Sequence, residues 1–323
     1  MKLSTMKKVV DTLDHEGRSS LGDHILERWG YDKDSVQYLR ASANFVFVFH
    51  KNNRAYFLRF NDACERDLAM IEAEIEILHY LKDKPLRTAQ PVKSLNNRFV
   101  EEVHTDLGTF YAVVFAGLPG KQYELEDLNE KEFFLWGKAL GRLHHVLKSI
   151  PQQYGEKRPS WKAHLDFVKE TLPEEETAAQ KELEKINQWG GGQGVFTKSF
   201  GLIHYDFELD NLIWDQDQVG ILDFDDTACY GYAADIAYAL RELFEDGIDL
   251  ENPHFQKFME GYRKETPLDE TILHDLPWFM RLHNLVSFAK LLRSVDVPET
   301  QSGSLSNLRT KLTNLIENYR ASF

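Results

Sequence analysis

Asp206, Asn211 and Asp223 have the types and the order that phosphoryl transfer asks for. They lie in one segment, Leu202–Asp226, which reads LIHYDFELDNLIWDQDQVGILDFDD. Within it His204, Asp206 and Asn211 form H-x-D-x-x-x-x-N, and Asp223 opens a D-F-D-D tetrad. A hydroxyl that attacks a phosphorus needs a carboxylate to orient it and take its proton, and Asp206 is placed for that role. An amide oxygen and a second carboxylate then hold Mg²⁺ against the nucleotide phosphates, which suits Asn211 and Asp223. The alternative, an acidic solvated hairpin with Asp206 capping a turn, leaves the ordered set unexplained.

Short strands must position these groups. Leu202-Ile203 ends one strand and Leu212-Ile213-Trp214 begins the next. Asp215-Gln216-Asp217-Gln218 reads as a hairpin turn and Val219-Gly220-Ile221-Leu222 as the returning strand. A hairpin of that length brings Asn211 near Asp223, within reach of one cation.

The elements upstream change period. Val9, Val10, Leu13, Leu21, Ile25 and Leu26 lie at helical spacing, so residues 5–29 predict one or two short helices. Gln37–Arg40, Asn44–Phe49 and Ala55–Phe60 read as strands around the turns Ala41-Ser42-Ala43 and Lys51-Asn52-Asn53-Arg54. The first turn, with Ser42, is expected to cover nucleotide phosphates, although it lacks the glycines that ease a close backbone approach. Arg59 on the third strand is the candidate phosphate contact, a permanently charged fork rather than a point charge. A solvent-facing edge arginine is the competing reading. Residues 62–82 predict a helix with Leu68, Ile71, Ile75, Leu78 and Leu81 on one face. Of its acidic residues Glu72, Glu74 and Glu76, Glu74 is the expected partner of Arg59, and a solvated face suits the others.

Arg98–Glu101 and Phe110–Phe115 supply two more strands, and Ala116-Gly117-Leu118-Pro119-Gly120 reads as a hinge. The nucleotide base is expected to pair with backbone groups near Phe115 and Gly117. The boundary between an N-terminal lobe (1–115) and a C-terminal lobe (116–323) is placed there. Beyond it the pattern is helical: Phe133–Leu147, Trp161–Leu172, Glu174–Trp189, Ala233–Leu243, Phe255–Tyr262, Thr271–Arg293 and Leu305–Tyr319, with Tyr154–Arg158 as loop. Pro277 is expected to start a helix or kink one. Asp235, in the first turn of its helix, reads as a brace that accepts amide hydrogen bonds from the catalytic loop. Gly190-Gly191-Gly192-Gln193-Gly194 is not a phosphate loop, because Thr197 rather than Gly precedes Lys198-Ser199. It reads as a flexible segment ahead of the catalytic one.

Composition bounds the function. The chain has 323 residues, 42% hydrophobic and 28% charged, ample for two lobes with their own cores. A formal charge of −14 speaks against nucleic acid as a partner and weakly for a cationic or neutral substrate. Two cysteines are too few to staple a fold, and no apolar run reaches membrane length or resembles a signal peptide. The expectation is a cytoplasmic protein without a membrane partner.

HYDFELDN, ILDFDD and YAADIAYAL together resemble the aminoglycoside phosphotransferase and choline kinase superfamily. The resemblance implies an α+β, two-lobed protein-kinase-like fold, with a small antiparallel sheet in the N-lobe and a mainly helical C-lobe. It implies Asp206 as catalytic base, Asn211 and Asp223 as magnesium ligands, His204 as the residue that shapes the loop, and Asp235 as the helix brace. Arg59 falls at the family's phosphate-binding position, usually Lys, and Glu74 at its partner. The implied cofactors are Mg²⁺ and ATP, with GTP not excluded. Asp225 follows the metal carboxylate where antibiotic-modifying members carry glycine. A second metal ligand, a contact for a cationic substrate and a turn-stabilising Asp all stay open for it; Glu208 is the other acidic candidate for substrate or metal. The leading function is a kinase acting on the hydroxyl of a small, amine- or alcohol-bearing metabolite or an aminoglycoside-like compound. A protein Ser/Thr kinase is the runner-up, disfavoured by the short span between Asp223 and Asp235. A non-catalytic nucleotide-binding scaffold comes third.

Overall fold

The computed structural model describes residues 1–192, 199–245, 247–297 and 305–323. In chain order its elements are α1 (Leu3–Val10), α2 (Ser20–Leu26), β1 (Gln37–Ala41), β2 (Phe45–Lys51), β3 (Arg54–Asp62), α3 (Leu68–Leu81), β4 (Arg87–Thr88), β5 (Pro91–Val92), β6 (Val100–Thr105) and β7 (Gly108–Ala116). Then follow α4 (Glu130–Leu147), α5 (Gln152–Glu156), α6 (Trp161–Thr171), α7 (Thr177–Gly190), β8 (Phe200–Ile203), β9 (Leu212–Asp215), β10 (Gln218–Ile221) and β11 (Ala228–Gly231). The last helices are α8 (Tyr232–Ala239), α9 (Pro253–Glu265), α10 (Leu276–Ser294) and α11 (Ser306–Ser322). The class is mixed α+β, with an antiparallel sheet first and mostly helices after.

Two compact units form. The first comprises residues 1–75, 89–117 and 291–318, and the second 76–88, 118–290 and 319–323. The expected single boundary at 115/116 falls just before the end of the first unit's middle segment at Gly117. It does not represent the pieces 76–88 and 291–318, whose membership is set by packing between residues distant in sequence.

The first unit is a six-stranded sheet in the order β1-β2-β3-β7-β5, with β6 also on β7. The alternating aromatics of β2 stack across the strand pair: Phe45 and Phe47 lie 5.1 and 5.6 Å from Phe60, whose edge meets Phe110. Leu3, Val9, Ile25 and Leu26 of the two N-terminal helices close that core, with Val295, Val297, Leu308 and Leu312 packed on it. Ile71 and Ile75 of α3 join Val113 in a second cluster. The helix starts at Leu68, not near residue 62. The Asp62 carboxylate accepts the Cys64 N–H and the Asp67 carboxylate the Ala69 N–H, so both acids turn the chain before the helix begins.

The second unit is built on the crossing of α4 and α9. Asn129 and Glu132 close a capping box at the start of α4, and Asn252 with Pro253 starts α9. Their backbones approach so closely that a Cβ on Gly137 would lie 1.8 Å from the Phe258 carbonyl oxygen. Two small sheets complete the unit: β9 and β10 with β4, and β8 with β11. Tyr154 lies in the short helix α5, not in loop as expected, since Pro151 sets a helical start ahead of Gln152. Helix α8 ends at Ala239, four residues earlier than its apolar pattern suggests. A short 3₁₀ stretch, Glu270–Asp275, precedes α10, and Pro277 sits in that helix's first turn, where its missing N–H costs nothing. The glycine run begins as the end of α7, while Gln193 to Lys198 lie outside the described residues. Among the described residues no helix is long and apolar enough to cross a membrane.

Candidate active site

Pairing of β9 with β10 sets Leu212 opposite Ile221, and the Leu222 N–H donates to the Asn211 carbonyl at 2.9 Å. Asn211 and Asp223 are therefore brought one residue apart across a hairpin whose turn is Gln216-Asp217. Gln216 takes φ +55°, as a two-residue turn of this kind demands. The other strand before the loop, β8, pairs with β11 through Ile203 and Ala228. The eight residues from His204 to Asn211 thus run between two fixed strand ends.

Inside that loop the backbone is held by one carboxylate. Asp235, wholly buried on α8, accepts the His204 N–H at 2.8 Å and the Tyr205 N–H at 2.7 Å. Tyr205 sits at φ +74°, a conformation non-glycine residues avoid unless their surroundings enforce it. His144 of α4 adds a third bond to Asp235, at 2.9 Å from Nε2, while its Nδ1 meets the Tyr262 hydroxyl at 2.8 Å. Burial pushes the His144 pKa down, so the ring is neutral, with Nε2–H donating to Asp235 and Nδ1 accepting from Tyr262. The His204 ring bridges to the residue after β10 through Nε2 and the Leu222 carbonyl at 2.9 Å.

The proposed reactive groups meet at Asn211. Its Nδ2 donates to the Asp206 carboxylate at 2.8 Å and to the Asp206 carbonyl at 3.0 Å. Its Oδ1 is buried and has no hydrogen-bond partner. An orphaned amide oxygen is costly in a protein interior unless something unseen binds it, and a cation is a fitting occupant. Asp223 follows at φ +51°, so its backbone too is held in the left-handed region. Among the described residues no three His, Cys, Asp or Glu side chains are grouped to hold a metal. A divalent ion here would rest on one carboxylate and one amide oxygen and would take its other oxygens from phosphates and water, as Mg²⁺ does.

Glu208 is buried at 8% exposure, and its carboxylate contacts the Arg241 guanidinium. Burial and then the charge of Asp206 push the Glu208 pKa up to about 9, against the pull of Arg241. Asp225 is buried at 3% exposure, and its carbonyl accepts the Arg158 guanidinium, which also donates from Nε to the Thr227 carbonyl at 2.8 Å. Asp226 faces Lys290 at 3.4 Å. His144, Arg158 and Arg241 escaped the sequence reading, because each belongs to a helix or loop whose own pattern is unremarked and meets the site only through the fold.

In the first unit, Arg59 donates from Nη1 to Glu74 Oε1 at 2.9 Å and from Nη2 to Oε2, a bidentate pair with 5% and 0% exposure. Its guanidinium lies 4.9 Å from the Phe115 ring centre. Arg59 is thus buried and is not a solvent-facing edge residue. Glu72 is exposed, and Glu76 instead meets Lys157 at 2.7 Å. Ser42 is exposed in its turn, its N–H donating to the Asn44 carbonyl. The Gly117 N–H is already given to the Ala55 carbonyl at 3.1 Å and the Ala116 N–H to Gln90 at 3.0 Å. A base pairing near Phe115 and Gly117 would therefore use backbone groups other than these two N–H groups.

Comparison with known proteins finds phosphotransferases and kinases. Residues 35–267 match the model of the phosphotransferase enzyme family. Amicoumacin kinase of Bacillus subtilis (strain 168) is 26% identical over 300 residues, 89% of each chain. A solved structure of an amicoumacin kinase with AMP-PNP, Ca²⁺ and Ami superposes with a TM-score of 0.78 at 21% identity, over 98% of this chain and 96% of that one. A microcompartment-associated aminopropanol kinase gives 0.70 at 20% identity, over 94% and 95%.

Proposed function

The chain belongs to the phosphotransferase enzyme family, and from that premise we propose that it moves the terminal phosphoryl group of ATP, or of GTP, to a hydroxyl of a small amine- or alcohol-bearing compound. The observation that carries this reading is the Asp206–Asn211 bond beside an orphaned Asn211 oxygen, one hairpin pairing away from Asp223. Asp206 orients the acceptor hydroxyl and receives its proton as the new O–P bond forms and the bond to the departing diphosphate breaks. Asn211 Oδ1 and Asp223 are the proposed ligands of Mg²⁺, which supplies neutralisation of the charge building on the phosphates. Asp235 and His204 hold the loop so that these groups need no rearrangement during reaction. In the first unit, Arg59 is the cation assigned to phosphate contact, its plane fixed by Glu74 and Phe115.

Charge around Asp206 favours a cationic acceptor. Glu242 has its pKa raised by burial and then, against the pull of Arg241, by the neighbouring Asp210, Glu124 and Glu245. An ammonium group would relieve that crowding. The relatives named above act on amicoumacin and on aminopropanol, in keeping with an amine-bearing alcohol here. The test is a transfer screen with labelled ATP and GTP and Mg²⁺ against amino alcohols, choline, aminoglycosides, amicoumacin, homoserine, sugars and a generic protein. Labelling of an amine-bearing alcohol is expected. Labelling of the protein substrate alone would replace this reading with the protein kinase one.

A further inference from the structure

A cavity of about 300 Å³ lies within the second unit, and its lining does not include Asp206, Asn211 or Asp223. Its walls are the segment Lys84–Arg87, the α4 face with Lys138 and Arg142, and the β9–β10 hairpin at Asp217–Ile221. Four cations thus line one small space in a chain whose formal charge is −14. Such a concentration runs against the field of the whole molecule and attracts anions locally.

Partners satisfy Arg142 but leave Arg87, Lys84 and Lys138 incompletely met. Arg142 is bidentate to Glu265, which Lys138 approaches only to 3.8 Å. Asp217, the acidic residue of the lining, is taken by Lys131 at 2.6 Å. Arg87 donates from Nη2 to the Pro119 carbonyl and reaches Asp215 at 3.3 Å, yet its Nη1 is buried with no hydrogen-bond partner. Lys84 has no ion pair among the described residues and rests over the Tyr80 ring at 4.6 Å. Counting Lys131, five cations face the three carboxylates Glu265, Asp215 and Asp217.

We infer that this cavity, formed by Lys84, Arg87, Lys138 and Arg142, is a binding site for a small phosphate-bearing anion, separate from the nucleotide. The unpartnered Nη1 of Arg87 and the ammonium groups of Lys84 and Lys138 offer several charged donors, which suit the several oxygens of a phosphate dianion better than the two of a carboxylate. The volume leaves room for a modest organic body beside the phosphate. Val219 and Ile221, on the wall, belong to the strand that leads to Asp223, so occupancy braces the hairpin carrying both proposed metal ligands.

Isothermal titration of the full chain with inorganic phosphate, glycerol phosphate and acetate, at fixed ionic strength and without nucleotide, tests this. Both phosphates are expected to bind and acetate to bind more weakly; tighter binding of glycerol phosphate than of inorganic phosphate marks a phosphorylated metabolite as the source, and the reverse marks free phosphate. Because each lost charge-assisted hydrogen bond weakens binding by about tenfold or more, Lys84→Gln combined with Lys138→Gln is expected to lower phosphate affinity at least that far. Arg87→Gln is expected to do the same, with unfolding transitions recorded to show that each variant folds. Asp223→Asn should leave phosphate binding intact. No binding to the parent chain, equal binding of acetate, unchanged affinity in the folded lysine variant, or loss of binding in Asp223→Asn would each overturn the assignment.

Discussion

Asp235 accepts the N–H of Tyr205 at 2.7 Å, and Tyr205 is the residue at φ +74° immediately before Asp206. The strained link in the proposed catalytic loop is thus tied directly to the start of a buried helix. Asp235 takes two further bonds, from the His204 backbone and the His144 ring, so one carboxylate fixes the loop at two points and is itself fixed to α4.

Replacing Asp235 with Asn puts an amide N–H₂ where acceptors are needed and leaves buried donors without partners, each costing about 1–3 kcal/mol. Asp235→Asn is expected to lose about 3 kcal/mol or more of stability, a fall of roughly 6–12 °C in Tm for a domain of this size. Differential scanning calorimetry checks this; a transition within a degree of the parent would remove Asp235 as the brace.

Asp206→Asn keeps the shape of the site but removes the proposed proton acceptor. General-base loss of this kind typically lowers kcat on the order of 10²–10⁴-fold. Nucleotide affinity is expected to stay at the parent level, because the Asn211 and Asp223 oxygens are untouched. Turnover near the parent rate would assign the base elsewhere.

Asp223→Ala removes the charged half of the proposed cation site. Titrating nucleotide with Mg²⁺ present, then with a chelator, should show a difference in the parent chain and none in this variant. A variant that still binds nucleotide more tightly with Mg²⁺ would exclude Asp223 as a ligand.

Stability should fall in mild acid for a reason that two histidines supply. Burial holds His164 down at about 4 and His283 at about 3, against 6.5 when unfolded. Their contribution is whole above pH 6.5. Below it the unfolded chain takes up protons that the folded chain refuses, so stability is lost as pH falls toward 4, by about 1.4 kcal/mol per pH unit for each residue. Urea titrations between pH 7 and 5 measure the slope, and His283→Gln should reduce it by about that single-residue amount. An unchanged slope in that variant would mean that His283 titrates normally.

Gly137→Ala forces a Cβ to 1.8 Å from the Phe258 carbonyl oxygen, a backbone atom that cannot step aside. Overpacking of a helix crossing costs about 1–3 kcal/mol and sometimes more. A lowered unfolding midpoint is expected for Gly137→Ala and also for Gly261→Ala, whose Cβ would meet the Phe134 carbonyl oxygen at 1.9 Å. Parent-like stability in both would show that the helices can separate without cost.

By itself the sequence determined the chemistry and its local frame. The types and order of Asp206, Asn211 and Asp223 were legible because a reaction needs particular functional groups, and the hairpin between the last two because alternation and turn residues are local signals. The strands around Arg59 and its partnership with Glu74 were readable for the same reason, since strand and helix periodicity fix which residues share a face. Only the tertiary structure decided what those groups are tied to. His144 lies 91 residues from Asp235, and nothing in the pattern of α4 marks it. Arg158 fastens the carbonyl of Asp225 from 67 residues away, and the N–H groups of Ala116 and Gly117 are already given to the Gln90 and Ala55 carbonyls. The physical reason is that periodicity reports a residue's own element, while hydrogen bonds, burial and the pKa of a group such as Glu208 depend on which distant elements pack against it. The basic cavity beside the hairpin belongs to the same class: its four cations are scattered between residues 84 and 142 and become one site only when the chain is folded.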